Sequence, residues 1–257
     1  VTINDSVTEG AIQIDSTNDA IRFTGENGSL YQPVYGTDDD LVLYLPFNRG
    51  GNTTTGTTYA TSNVSVYDRS PYGNDGQCYG TNEADGCNWT TGKYGNALRF
   101  DGSNDYVKTS ITPDFSSDRV TFEAWFKLRG DGVMTSGTTN NFITVQDAYD
   151  YSILAYTRST RIIIGQINFI DNSYQTVSGT TVLSLDKWYH TAMTYDGTAV
   201  RVYLNGVEEG SAAVSKALKA PTNPAYIGSL LGTNRRINGT IDEVRIYKRA
   251  LAPEEIR

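Results

Sequence analysis

The chain has 257 residues, a formal net charge of −8 and 38% hydrophobic residues, and it is rich in Gly (25) and Tyr (18). The apolar fraction is enough to bury a substantial core, which argues against wholesale disorder, while the negative charge would repel a nucleic acid and attract divalent cations. No apolar run approaches the roughly 20 residues of a transmembrane helix, so we expect neither nucleic-acid binding nor membrane insertion.

Residues 1–40 differ from the rest of the chain. Short alternating segments are broken by polar turns and end in the acidic run at 38–40. These segments predict two or three small strands, which form an N-terminal β extension ahead of a main domain at 41–257. The extension is either a subdomain packed on the main domain or an arm that adds a strand to a neighbouring copy of the chain.

Strand patterns become dense from Leu41 onward. The run "LVLYLPF" at 41–47 is typical of a buried strand, and "FEAWFKL" at 122–128 alternates between apolar and mostly polar residues, which places Trp125 on the polar side. The pairs Asp196-Gly197 and Asn205-Gly206 predict tight hairpin turns. The tail "RALAPEEIR" predicts a short helix, with Pro253 in its first turn. Long helical periodicity is absent, so the pattern predicts an all-β sandwich.

The two cysteines, Cys78 and Cys87, enclose the glycine-containing segment "CYGTNEADGC". We predict a surface loop closed by a disulfide, which would stabilise the fold by about 2.5–3 kcal/mol in the chain-entropy model; two free thiols are the alternative. Glycosylation sequons add to the case for a secreted glycoprotein. They lie at Asn4, Asn27, Asn52, Asn63, Asn88 and Asn238.

The segment "GTIDEVRIYK" at 239–248 places acids in a predicted strand. Side chains alternate along a strand, so Asp242 should share the core-facing side with Val244 and Ile246. An unpaired buried carboxylate costs several kcal/mol. We therefore expect Asp242 to have a cation, hydrogen-bond donors or a proton as compensation.

Six segments in this order resemble the laminin G-like modules of the concanavalin A-like lectin/glucanase superfamily. They are "LVLYLPF" (41–47), "VYDRSPYGNDG" (66–76), "GKYGNALRFDGSNDYVK" (92–108), "VTFEAWFKL" (120–128), "WYHTAMTYDGTAVRVYLNGV" (188–207) and "GTIDEVRIYKRALAPEEI" (239–256). The resemblance implies a jelly-roll sandwich of two antiparallel sheets, with residues 1–40 outside it.

The same resemblance implies a structural calcium ion, because related sandwiches bind calcium through an aspartate of the last strand. Carried over to this chain, the implied ligands are Asp242, the carbonyl of Gly102 and the side chain of Asp101. Calcium takes six to eight oxygens at about 2.3–2.6 Å, which carboxylates, carbonyls and water can supply. The alternative is a half-buried Asp242 that accepts hydrogen bonds from backbone or arginine donors.

The sequence contains little that resembles the motif of a catalytic site. The glucanases of this superfamily carry acids at alternate positions of one strand, and a retaining glycosidase needs two carboxyl groups about 5–5.5 Å apart. The chain has no E-x-D-x-E motif, and its single histidine, His190, is expected to be a packed and hydrogen-bonded part of the fold. We therefore predict that the chain is not an enzyme.

Aromatic residues near the cysteine loop are candidates for binding a ligand, since rings stack on the apolar faces of sugars. Asp147 and Asp150 form a second candidate, for a ligand or metal. The aromatic candidates are Tyr72, Tyr79, Trp89 and Tyr94.

These observations predict an extracellular or cell-surface, non-catalytic binding and adhesion module, whose partner is a carbohydrate, a surface glycoconjugate or a cell-surface protein. The alternative is a structural subunit of a surface filament, appendage or virion, assembled from copies of itself through the N-terminal strands.

Overall fold

The computed structural model describes residues 11–15, 20–24, 30–31, 38–48, 65–80, 88–130, 138–146 and 151–256, in which the regular elements are all β-strands. The strands are β1 (Ala11–Asp15), β2 (Ala20–Thr24), β3 (Leu30–Tyr31), β4 (Leu41–Leu45), β5 (Ser65–Val66), β6 (Gly76–Tyr79), β7 (Asn88–Thr91), β8 (Asn96–Asp101), β9 (Tyr106–Thr109), β10 (Val120–Gly130), β11 (Thr139–Gln146), β12 (Tyr151–Thr157), β13 (Ile162–Asn168), β14 (Tyr174–Ser178), β15 (Trp188–Tyr195), β16 (Ala199–Leu204), β17 (Val207–Ala213), β18 (Tyr226–Ile227) and β19 (Asn238–Tyr247).

The chain divides into two compact units, residues 1–38 and residues 39–257. The first unit contains an antiparallel sheet in the order β1-β2-β3. The small N-terminal β extension predicted from the sequence is thereby confirmed.

The second unit contains two eight-stranded antiparallel sheets. Sheet 1 has the order β17-β16-β15-β10-β19-β8-β7, and β4 also pairs with β19. Sheet 2 has the order β14-β13-β12-β11-β18-β9-β6-β5. Neighbours in both sheets are often far apart in the sequence, so the strands cross between the sheets. This arrangement confirms the predicted jelly-roll sandwich.

The core lies between the two sheets and takes one side chain in two from each strand. Phe122 and Phe126 of β10 face Phe142 and Tyr156 of sheet 2, and all four are fully buried. The rings of Phe126 and Phe142 stack with centroids 4.2 Å apart. Burying one such side chain contributes about 2–3 kcal/mol. Each sheet therefore has an inner face on this core and an outer face turned away from it.

Two tight turns form where the sequence predicts them. Asn205 and Gly206, between β16 and β17, both have positive φ angles, of 50° and 79°. This backbone matches the right-handed twist of the flanking strands. Gly197, between β15 and β16, has a φ of 89°. Both hairpin predictions are confirmed.

The tail forms a turn where the sequence predicts a short helix. Leu251 and Ile256 pack on Ala192 and Tyr203 and cover part of the outer face of sheet 1. The carboxylate of Glu255 accepts the backbone N–H of residue 252 at 2.8 Å, and burial of the two apolar side chains fixes the backbone in this non-helical path. The helix prediction is wrong, because the packing of Leu251 and Ile256 outweighs the weak preference of these residues for a helix.

Candidate functional site

A β-bulge in β19 decides the side to which Asp242 points. Glu243 has a φ of 52°, and the register between β19 and β10 shifts just after the pair Asp242–Trp125. Ile241 and Val244 both belong to the core, although they are three residues apart. Asp242 therefore lies beside Trp125 on the outer face of sheet 1. The expected inward orientation is wrong, because a bulge interrupts the alternation of side chains.

Asp242 is nevertheless fully buried, since the loop of residues 92–95 lies against it. Its Oδ2 accepts the backbone N–H groups of Lys93 at 2.8 Å and Tyr94 at 3.0 Å, and its Oδ1 accepts that of Glu243 at 2.8 Å. A Cβ on Gly92 would lie 2.5 Å from Oδ2, so glycine permits this approach. Burial raises the pKa of Asp242 to about 7, although the backbone donors oppose the shift. The carboxylate anchors the loop.

The three residues expected to bind calcium do not come together. Asp101 pairs with Asn238, four residues before Asp242 on β19, which corresponds to a separation of about 13 Å. The carboxylate of Asp101 accepts the N–H of Ser103 at 2.7 Å within its own turn, where Gly102 has a φ of 82°. Within the described ranges no group of three His, Cys, Asp or Glu side chains could hold a metal ion. The expected ligand set does not fit one ion, and calcium binding stays a prediction.

A charged network lies buried on the same outer face. Arg245 pairs with Glu123 at 3.2 Å and with Glu243, and the hydroxyl of Tyr44 donates to Glu243 at 2.8 Å. Burial raises the pKa of Glu243 and of Tyr44. His190 is packed as expected, with Nε2 3.6 Å from Glu123, but within the described part of the chain neither ring nitrogen has a hydrogen-bond partner. These acids are held by the fold and are closed to solvent.

The four aromatic candidates do not form one platform. Trp89 is half-buried and packs against the core from β7. Tyr72 donates its hydroxyl to the carbonyl of Asp39 at 2.6 Å and accepts Lys248 Nζ at 3.1 Å. Both side chains are thus engaged in the fold.

Three other sequence candidates fall outside the described residues. They are Cys87, Asp147 and Asp150. Cys78 lies buried on β6, and the disulfide with Cys87 stays a prediction.

Tyr79 belongs to an aromatic group on the outer face of sheet 2, which we call the tyrosine cluster: Tyr79, Tyr106 and Tyr226. Tyr79 and Tyr106 are direct cross-strand partners, and their rings stack with centroids 4.7 Å apart and planes 5° apart. The ring centroid of Tyr226 lies 6.0 Å from that of Tyr106. All three are half-buried, so each keeps part of its surface open to solvent.

Polar side chains border the tyrosine cluster. Gln77 accepts the hydroxyl of Tyr79 at 2.8 Å, and its cross-strand partner Lys108 shares the same face. Gly232, with a φ of 69°, lies so close to Tyr106 that a Cβ would meet the ring at 2.5 Å. The cluster therefore offers rings, an amide and an ammonium group in a position fixed by the backbone.

Tyr94 lies on the opposite side of the sandwich, on the outer face of sheet 1. Its ring, 53% exposed, meets Trp125 edge to face with centroids 5.8 Å apart. The ammonium of Lys93 lies 4.5 Å from the centre of the Trp125 ring. The sandwich thus carries an aromatic group on each outer face.

The sequence analysis did not include Tyr106, Tyr226 and Trp125 among its candidate binding residues. Trp125 had a usable signal, because the alternation at 122–128 places this large apolar side chain on the outward side. Tyr106 and Tyr226 join Tyr79 only through strand pairings that span long stretches of sequence. Local patterns do not contain that information.

Comparison with known families identifies the class of protein. Residues 101–257 match the family model described as the concanavalin A-like lectin/glucanases superfamily. The chain belongs to this superfamily, as the resemblance indicated. No curated protein matches it.

Several solved structures share the fold. Domain 4 of AbnA, a GH43 extracellular arabinanase from Geobacillus stearothermophilus, solved in complex with arabinotriose, is 21% identical with a TM-score of 0.57, over 84% of this chain and 96% of that one. The binding domain of Paraclostridial Mosquitocidal Protein 1 is 15% identical with a TM-score of 0.59, over 85% of this chain and 51% of that one. The receptor binding domain of botulinum neurotoxin D is 15% identical with a TM-score of 0.57, over 85% of this chain and 51% of that one. The chain thus spans about half of these toxin binding domains.

Among the described residues no helix is long and apolar enough to cross a membrane.

Proposed function

We propose that this protein is a non-catalytic carbohydrate-binding module that acts outside the cell or at its surface, with the tyrosine cluster as its sugar-binding surface. The observation that carries the proposal is the stacked pair Tyr79 and Tyr106 with Tyr226 beside it on the outer face of sheet 2. Partly exposed rings offer apolar area for the faces of a sugar ring. Neighbouring polar groups then fix the orientation of its hydroxyls.

The polar border of the cluster suits a hydroxyl-rich ligand. The amide of Gln77 can donate and accept, and the ammonium of Lys108 donates. Gln77 already orients the hydroxyl of Tyr79, which reduces the side-chain freedom lost when a ligand binds. We expect a glycan, free or on a cell-surface protein, as the partner.

The structural neighbours support this kind of partner. One of them was solved with arabinotriose bound, and others are receptor binding domains of toxins. The predicted disulfide and sequons favour the same extracellular setting.

The acids of the described residues support a non-catalytic role. Glu123 and Glu243, two acids that share one arginine, Arg245, are about 95% buried. Glycosidic chemistry needs two carboxyl groups that reach the substrate, one as acid and one as base or nucleophile. Buried and paired carboxylates cannot do so.

The proposal is tested by titrating the protein with arabinotriose and a panel of neutral oligosaccharides in a calorimeter. Tyr79→Ala and Tyr226→Ala should each weaken binding roughly ten-fold, or about 1.4 kcal/mol, because each removes a stacking surface. Tyr174→Ala is the matched control, since Tyr174 is 63% exposed on β14 at the far edge of the same sheet. Sugar binding that survives loss of both cluster tyrosines would refute the assignment, as would the absence of any neutral ligand.

A structural subunit remains the second candidate, on the observation that the N-terminal unit has its own three-stranded sheet with β1 at one edge. Edge strands can pair with another chain. Light scattering of the full chain and of a chain lacking residues 1–38 tests it, because assembly through these strands predicts polymers that the truncation abolishes.

A further inference from the structure

A row of polar and aromatic side chains crosses five strands on the outer face of sheet 1, which we call the cationic row. Each member is the cross-strand partner of the next, from β7 through β8, β19 and β10 to β15. The members in order are Asn88, Arg99, Thr240, Lys127 and Trp188. Direct antiparallel partners share a face, so these side chains stand side by side.

The cations of this row have no acid opposite them. Arg99 is exposed and Lys127 is half-buried, and neither forms an ion pair with another described residue. Thr240 lies between them, which puts their Cα atoms about 10 Å apart. The hydroxyl of Thr240 is buried and has no hydrogen-bond partner in the described part of the chain.

Two indole rings stand among these cations. Lys127 Nζ lies 5.1 Å from the centre of the Trp188 ring, and Lys93 Nζ lies 4.5 Å from that of Trp125. Trp125 is two residues before Lys127 on β10, so the two tryptophans occupy diagonal positions on one face. Both are half-buried. Ring surface and positive charge therefore alternate across the row.

Among the described residues, no acid near this surface forms an ion pair with Arg99, Lys127 or Lys93. Asp242 is fully buried and engaged by three backbone N–H groups. Asp101 is half-buried and held in its own turn, and the exposed Asp186 lies two residues before Trp188. In a chain with a net charge of −8, the described residues of this surface thus place three cations beside two indoles, against one exposed acid, Asp186.

We propose that the cationic row with Trp125 and Lys93 is a second binding surface, and that its ligand is an acidic saccharide with carboxylate or sulfate groups. The indoles provide stacking surfaces for sugar rings, and the cations pair with the acidic groups that such a chain carries at each residue. A neutral glycan would leave the cations without partners. The ligand class thus follows from the charge of this face, and the proposal is independent of the tyrosine cluster.

The experiment compares one saccharide in charged and neutral form. Trigalacturonic acid and its methyl ester share the same sugar rings and differ in charge. The charged form should bind at least about five-fold more tightly at low ionic strength, and the difference should shrink at high salt, because exposed charges are screened. The indole N–H signals of Trp125 and Trp188 should shift in NMR spectra, while that of Trp89, which packs on the core, should not.

Substitutions in the cationic row test whether the acidic saccharide binds there. Arg99→Gln combined with Lys127→Gln should weaken binding of trigalacturonic acid about ten-fold. Arg119→Gln is the matched control, since Arg119 is exposed just before the opposite end of β10 and should leave binding unchanged. Tyr79→Ala should also have no effect, which separates this surface from the tyrosine cluster. Equal binding of acid and ester, no binding of either at millimolar concentration, or unaltered binding by the double variant would each overturn the proposal.

Discussion

The outer faces of the two sheets carry different chemistry on the same sandwich. The face of sheet 2 presents stacked tyrosines with an amide and an ammonium group beside them. The face of sheet 1 buries its acids in a network around Arg245 and beneath the loop of residues 92–95, and exposes cations and indoles.

The difference shows how a negatively charged chain can present a positive surface. Burying Glu123, Glu243 and Asp242 under neighbouring segments removes three carboxylates from the face of sheet 1. Arg99, Lys127 and Lys93 then remain as cations on this face that solvent can reach. On sheet 2 the exposed surface depends on rings more than on charge, so we expect the two faces to prefer different saccharides.

The largest expected effect comes from breaking the network of sheet 1. Arg245→Met leaves Glu123 and Glu243 buried without their cation and should lower the free energy of unfolding by about 3–5 kcal/mol. Urea denaturation measures it. Arg99→Met, an identical replacement at an exposed position of the same face, should change stability by less than about 0.5 kcal/mol. A loss below about 1 kcal/mol for the Arg245 variant would mean that the network is not stabilising.

The pH dependence of stability should report Asp242. Its pKa in the folded state is raised from 3.8 to about 7, so the stabilisation that the protonated form provides is present below pH 4 and is lost as the pH rises toward 7. Asp242→Asn should reduce this decline by up to about 1.4 kcal/mol per pH unit. Asp114→Asn, at an exposed turn, should leave the slope unchanged. An unchanged slope in the Asp242 variant would contradict the assignment.

Adding a chelator tests whether backbone N–H groups or a bound metal ion compensate the carboxylate of Asp242. Because three backbone N–H groups satisfy Asp242, the melting temperature should be the same with and without EDTA. A fall of several degrees that added calcium reverses would instead support the calcium site expected from the sequence.

A glycine substitution should disturb the tyrosine cluster alone. Gly232→Ala places a Cβ 2.5 Å from the ring of Tyr106 at a φ of 69°, and should cost about 2 kcal/mol and weaken neutral sugar binding. Gly73→Ala is the matched control, since Gly73 has a φ of 66° with no atom within 4 Å. The Gly73→Ala variant should lose only the free energy that a positive φ costs an alanine, about 1 kcal/mol. Equal losses in the two variants would show that the ring can move aside.

The smallest loss of stability expected from a substitution concerns a contact between the two sheets. Burial of Glu209 on β17 raises its pKa, but hydrogen bonds from Thr180 and Thr181, just after β14, outweigh this and lower it to about 2. The stabilisation is therefore present above pH 4.5 and lost as the pH falls toward 2. Glu209→Gln should lower stability at pH 7 by about 1 kcal/mol after allowance for solvent screening. Glu208→Gln, more exposed, is the control, and an equal effect at both positions would contradict the account.

The fold was predictable because its signals are local. The turn at Asn205-Gly206 has the positive φ angles that its residue types favour, and the alternation around Phe122 and Trp125 correctly divides the inner from the outer face. Resemblance to a known family then supplied the topology that these local patterns lack.

The candidate site was predictable only in part. Asp242 was identified as a compensated buried acid, but its side of the sheet depends on the bulge at Glu243, which alternation does not reveal. Tyr79 was identified on β6, yet its partner Tyr106 is brought to it by strand pairing. Side-chain clusters that arise from register between distant strands require the structure.

The most direct test of the central claim is an NMR titration of the uniformly ¹⁵N-labelled protein with arabinotriose. Saturable shifts should concentrate at Gln77, Tyr79, Tyr106, Lys108 and Tyr226, on the outer face of sheet 2, while Trp125 and Trp188 stay unchanged. Shifts confined to sheet 1, or none at all across the panel of neutral oligosaccharides at millimolar concentration, would contradict it.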